Sequence, residues 1–263
     1  MSRVVVKMGG HALDDLSPSS EVVRALGEDL AVLARDGTEV VVVHGGGPQI
    51  AELLARVGLT SAFHEGLRIT SPETMTYVAM ALSSVNTSLV AALTQGGLTC
   101  AGLDGADGRL FVGRSLGPPW DRAATVAHVD TLMLECLWRG GVVPVVSPVG
   151  LDEAGALLNC NADVVAGALA GAIKADTLVL LSDIDQLRAT PDDPATALTH
   201  VSVAQVATMI RDGAARDGMR PKMSAAVDAL AAGARRVVLA NGTRRHAVRD
   251  VLNGQSRTTE VVA

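Results

Sequence analysis

The sequence lacks the long apolar runs of a membrane protein and the leader of an exported one. The apolar runs at Arg3–Lys7 and Glu39–Val43 are about five residues long, whereas a membrane-spanning helix needs roughly 20 apolar residues. No basic segment followed by an apolar segment opens the chain, because strand-like sequence begins by Arg3. These absences predict a cytoplasmic protein without a membrane partner.

Signals for disulfides and for nucleic-acid binding are also missing. The three cysteines (Cys100, Cys136 and Cys160) are scattered and form no CxxC pair, so we expect buried, reduced thiols. The formal net charge of -6 at pH 7 leaves no basic stripe for nucleic acid. A small metabolite is therefore the expected partner.

The glycine signatures of two common nucleotide-binding folds are absent. The chain contains no GxxxxGK[ST] loop, and no glycine run has the GxGxxG spacing of a dinucleotide site. Any phosphate-binding site in this chain must follow another scheme.

The 263 residues do contain short β-branched runs that alternate with amphipathic helical segments. This alternation predicts an α/β fold with a mostly parallel sheet wrapped by helices. The predicted strands are Arg3–Lys7, Glu39–Val43, Val142–Ser147, Thr177–Leu181 and Arg236–Ala240. The predicted helices are Ser20–Arg35, Ser71–Leu93, Ala162–Ile173, Val203–Arg211 and Lys222–Ala232, with a loop at Pro191–Thr199. From the placement of the motifs we divide one continuous domain into residues 1–149 and residues 150–263.

The longest predicted helix, Ser71–Leu93, carries a narrow apolar seam. Its apolar residues follow one another in steps of three and four, at Met75, Val78, Leu82, Val85 and Leu89. Such a seam packs either on the sheet of its own chain or on a second subunit. The second alternative underlies our expectation of a homodimer.

Two neighbouring strands of the predicted sheet end in glycines, at Lys7–Gly10 and at His44–Gly47. In an open α/β sheet, ligands bind beyond the carboxyl ends of the strands. Unshielded backbone N–H groups at a helix N-terminus bind phosphate oxygens, and Lys7 adds a full positive charge beside them. The alternative is that these glycines only make tight turns.

Three further segments carry polar side chains at helix starts. Lys222 stands in the first turn of a predicted helix, where a cation opposes the helix dipole; it is either solvated or held there for a ligand anion. In Leu158–Asp163, Asn161 and Asp163 are either ordinary helix caps or part of a ligand-facing cluster. In the second case Asp163 would hold two lysines in place. Arg68 suits bidentate capture of a carboxylate, and a surface salt bridge is its alternative.

Together these motifs resemble the amino acid kinase family, and within it the acetylglutamate kinase type. The resemblance covers nearly the whole chain, through VVVKMGG, VVVHGGGPQI, GLRIT, AGLDGADGRL, VVPVVSPVG, LLNCNAD, LVLLSDI and DGMRPK. The GLRIT, NxNAD and GMxxK motifs are its more specific part. The resemblance implies a three-layer α/β/α sandwich with a mostly parallel central sheet, in which residues 1–149 bind the amino-acid substrate and residues 150–263 bind ATP.

The resemblance also implies catalytic and phosphate-binding roles. Lys7 and Lys222 would flank the transferring phosphoryl group, and Asp163 would orient both lysines. Backbone hydrogen bonds to the phosphates would come from four glycines, Gly9, Gly10, Gly45 and Gly46.

Substrate roles follow from the same resemblance. Arg68 and Asn159 would hold the α-carboxylate of the substrate, which would also contact the glycines of the second turn, Gly45 and Gly46. Ser182 and Asp183 would lie on the nucleotide side. Ala127 replaces a glycine that relatives have near the acceptor.

The activity that the resemblance implies is ATP-dependent phosphorylation of the side-chain carboxylate of N-acetyl-L-glutamate in arginine biosynthesis. ATP and Mg²⁺ would be required, with the metal bridging phosphate oxygens and no metal site made by the protein. The GADGRLFVGR segment looks more like relatives that act on glutamate or aminoadipate joined to a carrier protein. A non-catalytic amino-acid-binding module is the third alternative. The chain starts at its first strand, without the N-terminal helix of arginine-inhibited relatives, so we expect no arginine feedback.

Overall fold

The computed structural model describes residues 1–9, 15–17, 19–190, 193–213 and 219–262. The strands are β1 (Arg3–Met8), β2 (Glu39–His44), β3 (Phe63–His64), β4 (Leu67–Arg68), β5 (Cys100–Leu103), β6 (Phe111–Gly117), β7 (Asp121–Val129), β8 (Val143–Val146), β9 (Val149–Leu151), β10 (Leu157–Cys160), β11 (Thr177–Ser182), β12 (His200–Ser202), β13 (Val237–Asn241) and β14 (Thr258–Val262). The helices are α1 (Glu21–Arg35), α2 (Gly47–Arg56), α3 (Pro72–Gln95), α4 (Leu132–Arg139), α5 (Ala162–Ala172), α6 (Val203–Arg211), α7 (Met219–Ala231) and α8 (Ala247–Leu252).

Eight strands form one sheet in the order β12-β14-β13-β11-β1-β2-β8-β5. All neighbouring pairs in it are parallel except β13 and β14. Strand β1 lies in the middle, and Lys7 is paired with Val43 of β2 and with Leu180 of β11. The carboxyl ends of these three strands therefore meet at one edge of the sheet, which is where ligands collect in such folds.

The sheet is covered on both faces because successive residues of its strands point in opposite directions. Val4 and Val6 pack with residues of α1, α3 and α8, while Val5 packs with residues of α4, α5, α6 and α7. All three valines are buried. This arrangement confirms the predicted three-layer α/β/α sandwich with a mostly parallel sheet.

A second, smaller sheet closes on itself in the order β10-β7-β6-β9. Strand β9 pairs with both β10 and β6, which closes the ring. The predicted division after residue 149 falls inside β9, and both segments contribute strands to the large sheet. The assignment of ligands to two lobes stays a prediction.

The predicted elements are confirmed, with shifts of at most three residues at their ends. The loop predicted at Pro191–Thr199 contains a short 3-10 turn at Pro194–Thr196, and its residues 191 and 192 lie outside the described part. The expectation of buried thiols is wrong for Cys136, which is free and exposed. The seam of α3 is buried within the chain, so of the two alternatives for it, packing on its own chain is the one observed.

Helix α3 is also long and apolar enough to span a membrane, judged by length and composition alone. It packs against α1, α2 and β5 and contributes to two hydrophobic clusters of the molecule. Its apolar character is therefore that of a core helix.

Candidate active site

Two lysines and one aspartate meet beyond the carboxyl end of β1. The ammonium nitrogens of Lys7 and Lys222 lie 2.9 Å and 3.2 Å from the same carboxylate oxygen of Asp163, Oδ1. Lys7 comes from the end of β1, Asp163 from the first turn of α5 and Lys222 from the first turn of α7. Each of the three residues is 6% exposed. Residues that are far apart in sequence therefore form one buried charge cluster.

The cluster carries a net positive charge, because two ammonium groups share one carboxylate. Burial acts to raise the pKa of Asp163, but Lys7 and Lys222 together hold that pKa below its ordinary value. Burial and, after it, the charge of Lys7 lower the pKa of Lys222 to about 8, against the opposing effect of Asp163. A buried excess charge is costly without a counter-charge. An anionic ligand placed here would supply that counter-charge.

Asn161 and Asp163, each of which could be a helix cap or a residue of the polar cluster, have different roles in the structure. The side chain of Asn161 caps α5 by accepting hydrogen bonds from the backbone N–H groups of Asp163 and Val164, at 2.8 Å and 3.4 Å. The carboxylate of Asp163 is thereby left to the two lysines. Of the two alternatives, Asn161 is the cap and Asp163 is the cluster residue.

The glycine after β1 gives the ammonium of Lys7 its space. A Cβ atom at Gly9 would lie 2.3 Å from Nζ of Lys7, so any larger residue there would displace the ammonium. Gly9 faces the same cavity as Lys7. Gly10, which the sequence also placed at the phosphates, lies outside the described residues.

The second glycine turn begins helix α2. Gly46 is the N-cap residue of this ten-residue helix, and a proline follows in its first turn. The first N–H groups of a helix have no intrahelical partner and attract anions. Gly45 and Gly46 line the cavity that holds Lys7 and Asp163. The N–H group of Gly45, predicted to bind phosphate, is donated instead to the carbonyl oxygen of Met8 over 3.1 Å. Gly46 is therefore the residue of this turn that can offer a backbone donor beside the buried ammonium groups.

Arg68, from β4, also lines this cavity. Its guanidinium donates to Oγ of Ser61 and, over 3.0 Å, to the carbonyl oxygen of Gly47. It also lies 4.6 Å from the ring centroid of Phe63, and burial lowers its pKa from the ordinary value. Two of its five N–H donors are thereby used to fix its position, and the guanidinium still borders the cavity.

Two consecutive hydrogen bonds through Thr70 link Asn159 to the backbone of Arg68. Nδ2 of Asn159 donates to Oγ1 of Thr70 over 3.0 Å, and that hydroxyl donates to the carbonyl oxygen of Arg68 over 3.0 Å. Thr70 is fully buried. It therefore ties the two predicted carboxylate-binding residues to each other.

These residues enclose one cavity of about 290 Å³. The predicted site residues that line it are Lys7, Gly9, Gly45, Gly46, Arg68, Asn159 and Asp163. Lys222 does not line the cavity and is connected to it through its contact with Asp163. Ser182, buried at the end of β11, donates to Asp183 over 3.1 Å; both residues lie at the same sheet edge but outside the lining of the cavity.

Two residues that the sequence did not reveal, Ser61 and Thr70, hold Arg68 and Asn159 by hydrogen bonds without lining the cavity themselves. Thr70 belongs to the quoted GLRIT motif, so the motif itself held that signal. The scarcity of lysine was a second signal for the charge cluster: the chain contains only three lysines, and two of them meet at Asp163. Ala127, which the resemblance puts near the acceptor, is exposed and does not line the cavity.

The described residues offer no ready-made metal cage. Among them, no group of three or more His, Cys, Asp or Glu side chains could hold a metal ion. Asp163, the one carboxylate among the described residues that line the cavity, is paired with two ammonium groups. A protein-held metal does not fit this donor set.

Comparisons with known proteins agree with this geometry. A sequence model of the amino acid kinase family matches residues 2–241. The acetylglutamate kinase of Geobacter sp. (strain M21) is 36% identical over 258 residues, which cover 93% of this chain and 86% of that protein. The acetylglutamate kinase of Allorhizobium ampelinum is 37% identical over 259 residues, which cover 93% of this chain and 85% of that protein.

Solved structures show the same fold. The crystal structure of smu.665 from Streptococcus mutans UA159 matches with a TM-score of 0.82 at 27% sequence identity. The match covers 91% of this chain and 94% of that chain.

Proposed function

This chain belongs to the amino acid kinase family, and on that premise we propose that it transfers the γ-phosphoryl group of ATP to the side-chain carboxylate of N-acetyl-L-glutamate. The product would be an acyl phosphate of the kind used in arginine biosynthesis. The observation that supports this most is the pair of buried ammonium groups on Asp163, set beside the N-terminus of α2. The similarity to acetylglutamate kinases supports the choice of acceptor.

The proposed chemistry requires positive charge above all. A carboxylate that attacks a γ-phosphate brings two anions together, so cations and N–H donors must neutralise both. Phosphoryl transfer depends mainly on positioning and electrostatic stabilisation. Lys7 and Lys222 supply two charges that Asp163 holds at a fixed place. The backbone N–H groups of Gly9 and Gly46 are the donors that we assign to the phosphoryl oxygens, because the N–H group of Gly45 is already donated to the carbonyl oxygen of Met8.

In this proposal the acceptor lies between the charge cluster and Arg68. The guanidinium of Arg68 and the amide of Asn159 bind its α-carboxylate, and Thr70 connects the amide of Asn159 to the backbone of Arg68. The reacting carboxylate then faces Lys7. Ser182 and Asp183 are assigned to nucleotide binding, so that the nucleotide would lie at the carboxyl end of β11.

The division of labour between the two segments belongs to the same proposal. Arg68 lies in residues 1–149, while Lys222, Ser182 and Asp183 lie in residues 150–263. Asn159 comes from the second segment, but its strand β10 pairs with β7 of the first. We assign amino-acid binding to the first segment, together with β10, and ATP binding to the rest of the second.

Mg²⁺ enters this proposal as part of the nucleotide substrate. Mg²⁺ is usually held by substrate phosphates and one or two carboxylates and not by an all-protein cage. Binding of Mg²⁺ mainly by the phosphates of ATP is compatible with this site, in which Asp163 is already paired with two lysines.

A homodimer and a cytoplasmic location complete the proposal. The seam of α3 is buried inside the chain, so it cannot be the contact; support comes from the edge strand β5 and from Met80 on α3, which is 55% exposed. An uncovered strand edge favours pairing with another chain. All three cysteines are free, which suits a reducing compartment.

The function is tested by offering the protein several acceptors. The purified chain is incubated with Mg·ATP and, in separate reactions, N-acetylglutamate, N-acetylaminoadipate and free glutamate, and acyl phosphate is trapped with hydroxylamine. The proposal predicts hydroxamate from N-acetylglutamate, with far less from the other two.

The remaining outcomes contradict the proposal in different ways. Hydroxamate mainly from N-acetylaminoadipate would favour the longer acceptor. A lack of product from all three would favour an acceptor joined to a carrier protein or a non-catalytic amino-acid-binding module.

A further inference from the structure

A buried histidine stands directly before the second glycine turn and has no part in the proposed chemistry. His44 ends β2 and is fully buried. Its Nδ1 lies 2.7 Å from the carbonyl oxygen of Gly45, and its Nε2 lies 2.9 Å from Nδ2 of Asn86. The ring therefore connects the turn to helix α3, on which Asn86 lies.

The partners of Asn86 determine which ring nitrogen of His44 carries the proton. Nδ2 of Asn86 also lies 2.9 Å from the carbonyl oxygen of Val145. A carbonyl oxygen only accepts, so this atom of Asn86 is the amide nitrogen and a donor. Nε2 of His44 must then accept, which leaves the proton on Nδ1. That proton is donated to the carbonyl oxygen of Gly45.

Electrostatics agrees with a neutral ring. Burial lowers the pKa of His44 to about 4, against the smaller opposing effect of its bond to Gly45. The ring is therefore uncharged at neutral pH. It acts through one directed N–H group and one lone pair.

A hydrogen bond to the carbonyl oxygen of Gly45 sets the direction of the next N–H group. The peptide unit between Gly45 and Gly46 is planar, and in the trans form its C=O and N–H bonds point in opposite directions. When His44 holds the oxygen on its own side, the N–H of Gly46 points to the other side. Gly46 lines the cavity with Lys7 and Asp163.

The pair is itself held by rigid elements. Asn86 lies in the middle of the 24-residue helix α3, and Val145 lies in the buried strand β8. A Cβ atom at Gly102 would lie 1.9 Å from Oδ1 of Asn86, so the glycine of β5 leaves the space that the amide fills. The side-chain amide of Asn86 is therefore held between α3, β8 and β5, and it in turn holds the ring of His44.

We propose that His44 and Asn86 form a positioning pair that aims the N–H group of Gly46 at the transferring phosphoryl group. The inference rests on the proposed function and adds two residues to it, neither of which touches the substrate. A donor oriented in advance stabilises charge that develops in the transition state without reorganising during the reaction.

The test compares two variants of nearly the same size. His44→Asn keeps an N–H donor at the place of Nδ1, whereas His44→Leu has none, and both lose the bond to Asn86. We expect His44→Leu to lower kcat roughly 10- to 100-fold, less than the 10²–10³ for complete loss of one such donor, with the KM for ATP and for N-acetylglutamate changed by less than about threefold. His44→Asn should keep kcat within about threefold of the parent protein. His200→Leu, at an exposed histidine of β12, is the control and should change neither constant.

A second measurement does not depend on turnover. Two-bond ¹H–¹⁵N spectra report the tautomer of His44, and ¹⁵N-labelled glycine reports the amide of Gly46. We expect the Nδ1–H tautomer, and a shift of the Gly46 amide on addition of Mg·AMP-PNP in the parent protein and in His44→Asn but not in His44→Leu.

The outcomes separate this inference from the proposed function. Equal losses of kcat in both variants, an Nε2–H tautomer, or an unchanged Gly46 response in His44→Leu would overturn the positioning role. If the parent protein phosphorylates none of the acceptors, the proposed function fails, and the response of the Gly46 amide to Mg·AMP-PNP still decides the inference.

Discussion

At the residue scale, the central feature is a carboxylate that serves two lysines at once. Lys7 and Lys222 contact the same oxygen of Asp163, so the cluster has one positive charge more than it can neutralise. A buried charge without a counter-charge is expensive. The arrangement is reasonable for a protein whose anionic substrate completes it.

Replacing Lys7 should affect the reaction more than the fold. We expect Lys7→Ala to lower kcat roughly 10²–10³-fold, as for the loss of one group that stabilises transition-state charge. Steady-state kinetics with saturating ATP and N-acetylglutamate measures the change. Near-normal turnover would show that Lys7 does not face the phosphoryl group.

The third lysine of the chain provides the control for charge removal. Lys174 is exposed and has a φ of 50°, a conformation that asparagine tolerates better than most residues. Lys174→Asn removes one positive charge outside the cavity without adding backbone strain. It should leave kcat unchanged.

The lowered pKa of Lys222 predicts a loss of activity at alkaline pH. The ammonium loses its proton near pH 8, where burial places its pKa. The kcat/KM for ATP should therefore fall above about pH 8, and kcat should fall at higher pH, because bound phosphates favour the charged form. Lys222→Arg, whose charge persists, should lack this decline even if its rate is lower. If the activity of Lys222→Arg declined above pH 8 as it does in the parent protein, the assignment of this pKa to Lys222 would be wrong.

The lowered pKa of Lys222 has the opposite effect on the free energy of unfolding, which it makes rise with pH. Between about pH 8 and the ordinary lysine pKa of 10.5, the unfolded chain keeps the proton that the folded chain has lost. The unfolded state then binds more protons, so the contribution of Lys222 to the free energy of unfolding rises with pH in this window. The two profiles, of activity and of stability, should diverge there.

At the element scale, helices α5 and α7 bring Asp163 and Lys222 together. Gly167 of α5 touches the backbone of α7, since a Cβ atom there would lie 2.8 Å from the carbonyl oxygen of Ala225. This close approach sets the distance between the two helices one turn away from the charge cluster.

Gly167→Val should force the two helices apart. We expect it to destabilise the protein by about 1–3 kcal/mol, the usual cost of overpacking, and to lower kcat because Lys222 moves away from Asp163. Denaturant unfolding and steady-state kinetics measure the two effects. Ala172→Val, at an exposed position of the same helix, should cost less than about 0.7 kcal/mol. Equal effects of both variants would mean that the contact is not tight.

The elements were largely predictable from sequence because their apolar periods are strong. Strands such as β1 and β11 are buried on both faces and read as continuous apolar runs. The two-residue strands of the hairpin, β3 and β4, have no such period. The closed small sheet depends on pairing between distant strands, which no local pattern reports.

Site residues were predictable where a motif placed them at a strand end, as with Lys7 and Gly9. The hydrogen bond from Asn159 to Thr70 joins residues 89 positions apart, so spacing could not show it. The pairing of His44 with Asn86 was missed for the same reason. Proximity in the folded chain, and not residue type, gives these side chains their roles.

At the scale of the whole molecule, the large sheet ends in two edge strands, β12 and β5. We expect sedimentation equilibrium to give twice the chain mass of 27.0 kDa, because an open edge and the exposed Met80 are available for a second copy. Met80→Glu should weaken the association. A mass of one chain at micromolar concentrations would remove the homodimer from the account.

The central claim is that a carboxylate oxygen of the acceptor attacks the γ-phosphorus of ATP in this cavity. It is tested most directly with N-acetylglutamate carrying ¹⁸O in both oxygens of its side-chain carboxylate. The bridging oxygen of the acyl phosphate then comes from the acceptor, and hydroxylamine, which attacks the carbonyl carbon, releases that oxygen with the phosphate. We expect one ¹⁸O atom in each released phosphate, measured by mass spectrometry. Phosphate without ¹⁸O would show that water and not the acceptor attacks ATP, and would contradict the account.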